Sequence, residues 1–239
     1  MTPALVLSDD TGPVRVLTMN RPEARNALSP QLIGTLYAAL READDDASVR
    51  AVVLTGADPA FCAGVDLKEA QRLGSVYFEQ FRNQSCIRQT GEMRTPIIAA
   101  INGAVFTGGL EMALGCDFLI ASERAVFADT HARVGILPGG GMTARLPHVV
   151  GAAMARRLSM TGEWSTPRMP STSGWSPRSC RTISCCPEPL NWPARSLKCL
   201  HQSWLASRKS TSPAPPRSRI RLLPPNRLSP VRKPWIRTA

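Results

Sequence analysis

The sequence predicts an α/β fold over residues 1–163, in which strands alternate with helices. Three observations support this prediction. Apolar runs rich in Val, Ile and Leu recur in this part of the chain, and such runs are typical of buried strands. Turn residues follow these runs. Apolar positions at helical spacing come next, as expected where helices cover a sheet.

The first predicted elements are a strand and a helix. Residues 14–20 have strand composition and are closed by Arg21-Pro22. Ser29 suits a helix N-cap because its hydroxyl accepts a backbone N–H, and Pro30 suits the first helical position. Apolar residues recur at helical spacing between residues 32 and 40, which predicts the face that packs on the core.

Further strands are predicted at residues 52–56 and 118–121 by their apolar, β-branched composition. Asp44-Asp45-Asp46 is expected to be a solvated connection ahead of the first of these strands. Residues 60–68 run from an apolar segment through a glycine turn into a helix. The same order of features recurs in residues 97–111.

This second apolar-to-glycine segment contains the first candidate site. Pro96 precedes the apolar run 97–101, which predicts a buried strand. Asn102-Gly103 is typical of a turn. A helix is expected to begin at Gly108-Gly109, with Gly115 as its C-cap.

A helix that begins at Gly108 presents free backbone N–H groups and the positive end of its dipole, which stabilise an oxyanion. Glu111 follows within one helical turn, so its carboxylate is expected on the same side. A polarising amide beside a carboxylate is suited to acid–base chemistry next to a carbonyl group.

The charge of the chain divides it at Glu163. The whole chain has a formal net charge of +11. Residues 1–163 contain 15 basic and 17 acidic residues, whereas residues 164–239 contain 14 basic residues and one acid, Glu188. The basic balance therefore describes the second part and not the predicted globular part.

Composition also narrows the class of protein. No secretory signal is visible at the start, and no apolar run has membrane-spanning length. Cys62, Cys86 and Cys116 lack metal-ligand spacing and are interpreted as small core residues in a reducing compartment. We expect a cytoplasmic enzyme with no metal and no membrane partner.

Four segments together resemble one known family. They are NRPEARNALS (20–29), AFCAGVDL (60–67), INGAVFTGGLEMALGCD (101–117) and GILPGGG (135–141). Residues 12–163 resemble the enoyl-CoA hydratase/isomerase (crotonase) superfamily. The resemblance implies a crotonase-like spiral of ββα repeats, usually trimeric, that binds acyl-CoA thioesters and needs no cofactor beyond the CoA of the substrate.

The resemblance also implies the catalytic groups. The backbone N–H groups of Val65 and Gly108 would form an oxyanion hole for the thioester oxygen; the alternative is that these glycine turns serve the fold alone. Glu111 matches the first of two glutamates that activate water in family hydratases. The second glutamate is replaced by His131, which can serve as acid or base or have no role. Asp129 is an alternative carboxylate.

Further resemblance-based expectations concern the acyl-CoA contacts. They are Arg25, Ala27, Ala63, Gly64, Asp66 and Leu67 around the nucleotide and pantetheine, and Pro138 and Gly139 near the acyl end. Arg25 is suited to pairing with a CoA phosphate, or it is a lone surface arginine. Thr107 replaces a small residue of the family and is expected to narrow the space near the acyl group.

Residues 164–239 depart from the family, whose members continue with helices that complete the trimer and close the site. Proline interrupts nearly every short run, and Arg, Pro and Ser are abundant. This composition is typical of disorder, a charged linker or a nucleic-acid arm. Another interpretation is translation in the wrong frame, because a shifted reading after Glu163 can give, with its free third bases chosen GC-rich, Val-Val-Asp-Ala-Glu-Asp-Ala-Leu-Asp-Ile-Gly-Leu-Val, which resembles the family's continuation.

We therefore predict an enoyl-CoA hydratase whose partners are an acyl-CoA thioester and further copies of the chain, as a homotrimer or dimer of trimers if the altered tail allows it. The alternatives are an isomerase or other thioester-enolate enzyme, because the glutamate pair is incomplete, and an inactive frameshifted product. Nucleic-acid binding by the basic tail is not expected.

Overall fold

The computed structural model describes residues 3–166, and our predictions for the tail after Thr166 lie outside the described residues. Nine strands are present in this range: β1 Val6–Thr11, β2 Val14–Met19, β3 Ala51–Gly56, β4 Ala60–Cys62, β5 Ile97–Ile101, β6 Ala104–Phe106, β7 Phe118–Ala121, β8 Val126–Ala128 and β9 Trp164–Ser165.

Eight α-helices lie between these strands in the described range. They are α1 Pro30–Asp45, α2 Leu67–Leu73, α3 Ser75–Asn83, α4 Cys86–Glu92, α5 Gly108–Gly115, α6 His131–Val134, α7 Met142–Val150 and α8 Ala152–Thr161. A short 3-10 turn at Pro22–Ala24 precedes α1.

The strands form two sheets that share a repeating connection. The larger sheet has the order β1-β2-β3-β5-β7 and the smaller sheet the order β4-β6-β8-β9. Three times, a strand of the larger sheet is followed by a strand of the smaller sheet and then by a helix: β3-β4-α2, β5-β6-α5 and β7-β8-α6. The expected α/β spiral of ββα repeats is thereby confirmed.

Parallel pairing runs through both sheets except at their ends. β1 pairs antiparallel with β2, and β9 pairs antiparallel with β8. The inner strands β3 and β5 are buried on both faces, which explains their continuous apolar sequence. The core between sheets and helices contains fully buried side chains such as Leu17, Leu36, Leu54, Phe61 and Ile97.

Helix α1 begins as predicted and ends later than predicted. The Ser29 hydroxyl accepts the Leu32 N–H at 3.2 Å, and Pro30 is the first helical residue. Asp44 and Asp45 are not a solvated connection but the last residues of α1. The Asp44 carboxylate accepts the backbone N–H groups at 94 and 95, which ties α1 to the chain entering β5.

The segment that carries the first candidate site has one more element than predicted. Strand β6 lies between the Asn102-Gly103 turn and α5. Helix α5 begins at Gly108 as expected, but its C-cap is Cys116, so Gly115 is the last helical residue. The sequence signal missed β6 because three residues are too few to establish a period.

The last described strand, β9, lies just beyond the boundary predicted at Glu163. In β9, Ser165 opposes Phe127 of β8, and Trp164 stacks on Phe106 with ring centroids 5.9 Å apart. Ser165 is buried and its hydroxyl has no hydrogen-bond partner. Among the described helices, none is long and apolar enough to cross a membrane.

Candidate active site

Two strand-to-helix turns meet at the candidate site. Gly64-Val65 follows β4, and Thr107-Gly108 follows β6, the parallel neighbour of β4. Gly64 has φ +88° and lies so close to the Thr107 side chain that a Cβ at position 64 would collide with it. The two turns therefore fix each other, and Val65 and Gly108 line one cavity.

Thr107 holds the second turn in an unusual conformation. Its φ is +44°, in the left-handed region that a β-branched residue rarely adopts. Its N–H donates to the Ala128 carbonyl at 3.1 Å, and its hydroxyl donates to the Ala63 carbonyl at 3.4 Å. These contacts to β8 and to the first turn retain a conformation that the residue itself disfavours.

Glu111 is buried in the first turn of α5, with 3% of its surface exposed. One carboxylate oxygen, Oε1, accepts the N–H groups of Gly140 at 2.8 Å and Met142 at 3.1 Å. A Cβ at Gly140 would lie 2.7 Å from the other oxygen, Oε2. The glycine-rich loop before α7 therefore fixes Oε1 and leaves room at Oε2.

His131, the first residue of α6, is buried beside Glu111 with its Nε2 3.7 Å from Glu111 Oε2. Its other ring nitrogen, Nδ1, lies 2.6 Å from Asp129 Oδ1. The Ser159 hydroxyl of α8 donates to Asp129 Oδ2 at 2.6 Å. These contacts form a continuous chain of four side chains that ends at the carboxylate on α5.

Asp129 lies behind the imidazole and not next to Glu111. Burial acts to raise its pKa, but the hydrogen bonds from His131 and Ser159 outweigh burial and lower it. Asp129 is therefore a carboxylate at neutral pH. Its two oxygens are engaged by His131 and Ser159, so in this structure it contacts the His131 ring and not Glu111.

A cavity of about 240 Å³ brings most of the predicted catalytic groups together. Val65, Gly108, Glu111, His131 and Gly139 all line it. The rest of its wall combines apolar side chains with three polar ones; the apolar ones include Phe78, Phe81 and Ile87, and the polar ones are Arg82, Ser85 and Arg88. Elements remote in sequence thus enclose one carboxylate and one imidazole.

The predicted acyl-CoA contacts divide into two groups. Ala63 and Leu67 line a smaller cavity of about 70 Å³, which shares Val65 and His131 with the larger one. Arg25 is exposed in a left-handed turn, and its carbonyl accepts the Ala63 N–H at 3.0 Å. The Gly64 carbonyl accepts the Leu28 N–H at 2.8 Å.

The remaining predicted contacts lie outside both cavity linings, as Arg25 and Gly64 also do. Ala27 is buried, and Pro138 is half-buried next to Gly139. Asp66 caps α2 by accepting the Glu69 N–H, and it forms an ion pair with Arg21 at 2.9 Å. Burial raises the pKa of Asp66, but the hydrogen bond and charge of Arg21 with the capping N–H outweigh it and lower the pKa.

Several site residues were missed by sequence reasoning. Ser159 carries no local signal, because its role depends on α8 packing beside α6. The loop glycine Gly140 was included in a motif but not assigned to Glu111. Arg21 was interpreted as a strand-closing residue, although it also donates to the Ala27 carbonyl and pairs with Asp66.

The three described cysteines Cys62, Cys86 and Cys116 are free and buried, as expected of core residues. Burial raises the pKa of the Cys62 thiol to about 12. Burial also raises the pKa of the Cys86 and Cys116 thiols. None of these three cysteines therefore supplies a reactive thiolate at the site.

Paired strands that wind into a spiral, with a carboxylate and an imidazole at one cavity, define a crotonase-fold protein. A family model described as enoyl-CoA hydratase/isomerase matches residues 9–172. The chain therefore belongs to the enoyl-CoA hydratase/isomerase family.

Curated proteins with similar sequences support this family membership. A protein of Arabidopsis thaliana called probable enoyl-CoA hydratase 1, peroxisomal, is 41% identical over 154 residues, covering 64% of this chain and 57% of the relative. A probable enoyl-CoA hydratase of Rhizobium meliloti is 42% identical, covering 66% and 61%. This chain thus spans about three fifths of the length of these curated relatives.

Solved structures of proteins called enoyl-CoA hydratase also resemble this chain. The crystal structure of an enoyl-CoA hydratase from Mycobacterium avium superposes with a TM-score of 0.63 at 41% identity. The match covers 87% of this chain and 82% of that chain. The fold and the family are thus supported by independent comparisons.

Proposed function

We propose that this chain hydrates 2-enoyl-CoA thioesters to 3-hydroxyacyl-CoA thioesters. The observation that carries the proposal is the pair formed by Glu111 Oε2 and His131 Nε2, 3.7 Å apart in a cavity that Val65 and Gly108 also line. A water at ordinary hydrogen-bond distance from both atoms fits this spacing.

The thioester oxygen is placed against the backbone amides of Val65 and Gly108, which act as an oxyanion hole. Gly108 is the first residue of α5, so its amide has no acceptor within the helix and lies at the positive end of the dipole. Negative charge that develops on the oxygen is stabilised there, and one such donor contributes about 3–4 kcal/mol to lowering a barrier.

Polarisation of the thioester makes C3 of the enoyl group electrophilic. The water oxygen bonds to C3 while Glu111 accepts a proton from that water. The electron pair of the double bond moves towards the thioester. The same proton then passes from Glu111 to C2. Water has been added across the double bond, and Glu111 is again a carboxylate.

Binding and assembly follow from the same proposal. The acyl-CoA extends from the large cavity past Ala63 and Leu67, with Arg25 exposed for a CoA phosphate. No cofactor is required beyond the CoA of the substrate. The cytoplasm is the proposed compartment, since three buried free thiols suit a reducing environment, and a homotrimer or a dimer of trimers is the proposed assembly.

Crotonyl-CoA hydration tests this function. Loss of the conjugated thioester absorbance on incubation with the purified chain is the expected result. If absorbance persists while a 3-enoyl-CoA is converted to the conjugated 2-enoyl-CoA, the chain is an isomerase and the hydratase proposal fails.

The unpartnered hydroxyl of Ser165 supports the frameshift interpretation of residues 164–239. It is buried in the small sheet without a hydrogen bond, which is costly for a strand residue. The shifted reading, with its free bases chosen as above, has valine at this position, and valine suits a buried strand. Sequencing the gene around codon 163 is the test, and DNA incompatible with the shifted reading removes the hypothesis.

A further inference from the structure

The ring of His131 is held from one side by groups that specify where its proton lies. Asp129 Oδ1 is 2.6 Å from Nδ1 and also accepts the His131 backbone N–H at 3.3 Å. Asp129 Oδ2 accepts the Ser159 hydroxyl. Since a carboxylate oxygen accepts and does not donate, the hydrogen of a neutral ring belongs on Nδ1.

The opposite nitrogen then has a lone pair. Nε2 lies at the cavity wall, 3.7 Å from Glu111 Oε2. A ring with its hydrogen on Nε2 would donate towards Glu111 and compete with the water for that carboxylate. A ring with its hydrogen on Nδ1 instead offers Nε2 as a second acceptor for the water.

We propose that Asp129, fixed by Ser159, is a positioning residue that keeps the hydrogen of His131 on Nδ1, so that Nε2 accepts one hydrogen of the attacking water. The inference rests on the hydration proposed above. The water donates its other hydrogen to Glu111, which takes it as a proton. The water hydrogen that is hydrogen-bonded to Nε2 stays on the water oxygen and becomes the hydrogen of the 3-hydroxyl group.

This arrangement explains how a neutral imidazole can occupy the place of a carboxylate. Two acceptors fix both hydrogens of the water and direct its lone pairs towards the substrate. The charged groups around the ring are Asp129 behind it, Glu111 beside it, and Arg82 and Arg88 on the far wall of the cavity. Arg133 of the same helix donates to the Thr161 carbonyl instead.

Nitrogen NMR of the full chain, labelled with ¹⁵N-histidine, tests the tautomer without any need for turnover. The chain has three histidines, His131, His148 and His201, and single glutamine variants assign their signals. Near pH 8 we expect a protonated Nδ1 and an unprotonated Nε2 for His131. Asp129→Asn should give a mixture of tautomers, because an amide can donate to Nδ1 as well as accept from it.

Kinetics on crotonyl-CoA test the consequence for catalysis. Asp129→Asn is expected to lower kcat about 100-fold with little change in KM, and Ser159→Ala about fivefold. Adding Asp129→Asn to His131→Gln should cost no more than about twofold further, because Asp129 acts through the ring. If Asp129 were only structural, Asp129→Asn would lower kcat by the same factor in the His131→Gln background as in the wild type.

Asp44→Asn is the matched control. Asp44 is another carboxylate with little side-chain exposure; it accepts backbone N–H groups at the C-terminal end of α1 and lines neither cavity of the site. This variant should lower the melting temperature while kcat and the His131 signals stay unchanged. Circular dichroism establishes that each variant is folded before it is compared.

The outcomes separate the two proposals. A wild-type His131 with its hydrogen on Nε2, or a tautomer that Asp129→Asn leaves unchanged, overturns the positioning role. A correct tautomer in a chain that fails to hydrate crotonyl-CoA overturns the proposed function and leaves the tautomer assignment standing. Additive losses in the double variant also contradict the positioning role.

Discussion

Glu111 and His131 face the same cavity but are held in different ways. The carboxylate is fixed by backbone N–H groups of Gly140 and Met142. The imidazole is fixed by side chains, first Asp129 and behind it Ser159. The position of Glu111 is therefore determined by the course of the chain, whereas the state of His131 is determined by residues that single substitutions can remove.

The largest effect on this pair is expected from Glu111→Gln. The amide oxygen can still accept from Gly140 and Met142, so the fold should be kept, but no carboxylate remains to take the proton. We expect kcat on crotonyl-CoA to fall about 1000-fold. Glu92→Gln, at an exposed position of α4, is the control, and an equal loss there would show that the assay reports general damage.

His131→Gln should have the next largest effect, about 100-fold on kcat. Glutamine removes the ring nitrogen that faces Glu111 but leaves the carboxylate and its backbone contacts in place. Steady-state kinetics on both single variants measure the difference between the two groups. A loss at His131 larger than that at Glu111 would contradict the primary role given to the carboxylate.

Gly140→Ala tests the backbone support of Glu111. The added Cβ would lie 2.7 Å from Glu111 Oε2 and would also contact Ile87. We expect about a tenfold lower kcat and a stability loss of about 1–3 kcal/mol, measured by chemical denaturation. Gly139→Ala is the stability control, because nothing lies within 4 Å of its Cβ; equal destabilisation of both variants would contradict the clash.

Ser165→Val should have the smallest effect of these variants, and the effect should be on stability. Ser165 lies on the side of the site that holds His131. Ser165 pairs with Phe127 of β8, the strand that leads to Asp129. Replacing its unpartnered hydroxyl with an apolar group should raise stability by about 1 kcal/mol. The melting temperature should rise, while the ratio of the kcat values of Glu111→Gln and His131→Gln should be the same with and without Ser165→Val. A changed ratio would mean that β9 affects the catalytic pair.

Much of the scaffold was predictable because its signals are local. The Ser29-Pro30 start of α1 and the Gly108 start of α5 follow from capping and turn chemistry within a few residues. The predicted end of α5 was wrong by one residue, and the solvated connection predicted at Asp44-Asp45-Asp46 was wrong for its first two residues.

The support of His131 could not be predicted for a different reason. Asp129 was identified as a carboxylate near the site, but its direction depends on the backbone between β8 and α6. Ser159 reaches it from α8, 30 residues along the chain. Such contacts are set by packing and leave no periodic pattern in the sequence.

The two turns at the proposed oxyanion hole approach each other closely at Gly64 and Thr107. The place where a Cβ at Gly64 would lie is occupied by the Thr107 side chain. The backbone carbonyl oxygen of Phe106 would lie 2.8 Å from the same Cβ, and Gly64 has φ +88°, so a smaller residue at position 107 would not make room for a side chain at position 64. In a library randomised at both positions, position 64 should therefore remain glycine whatever residue is accepted at position 107, 43 positions along the chain.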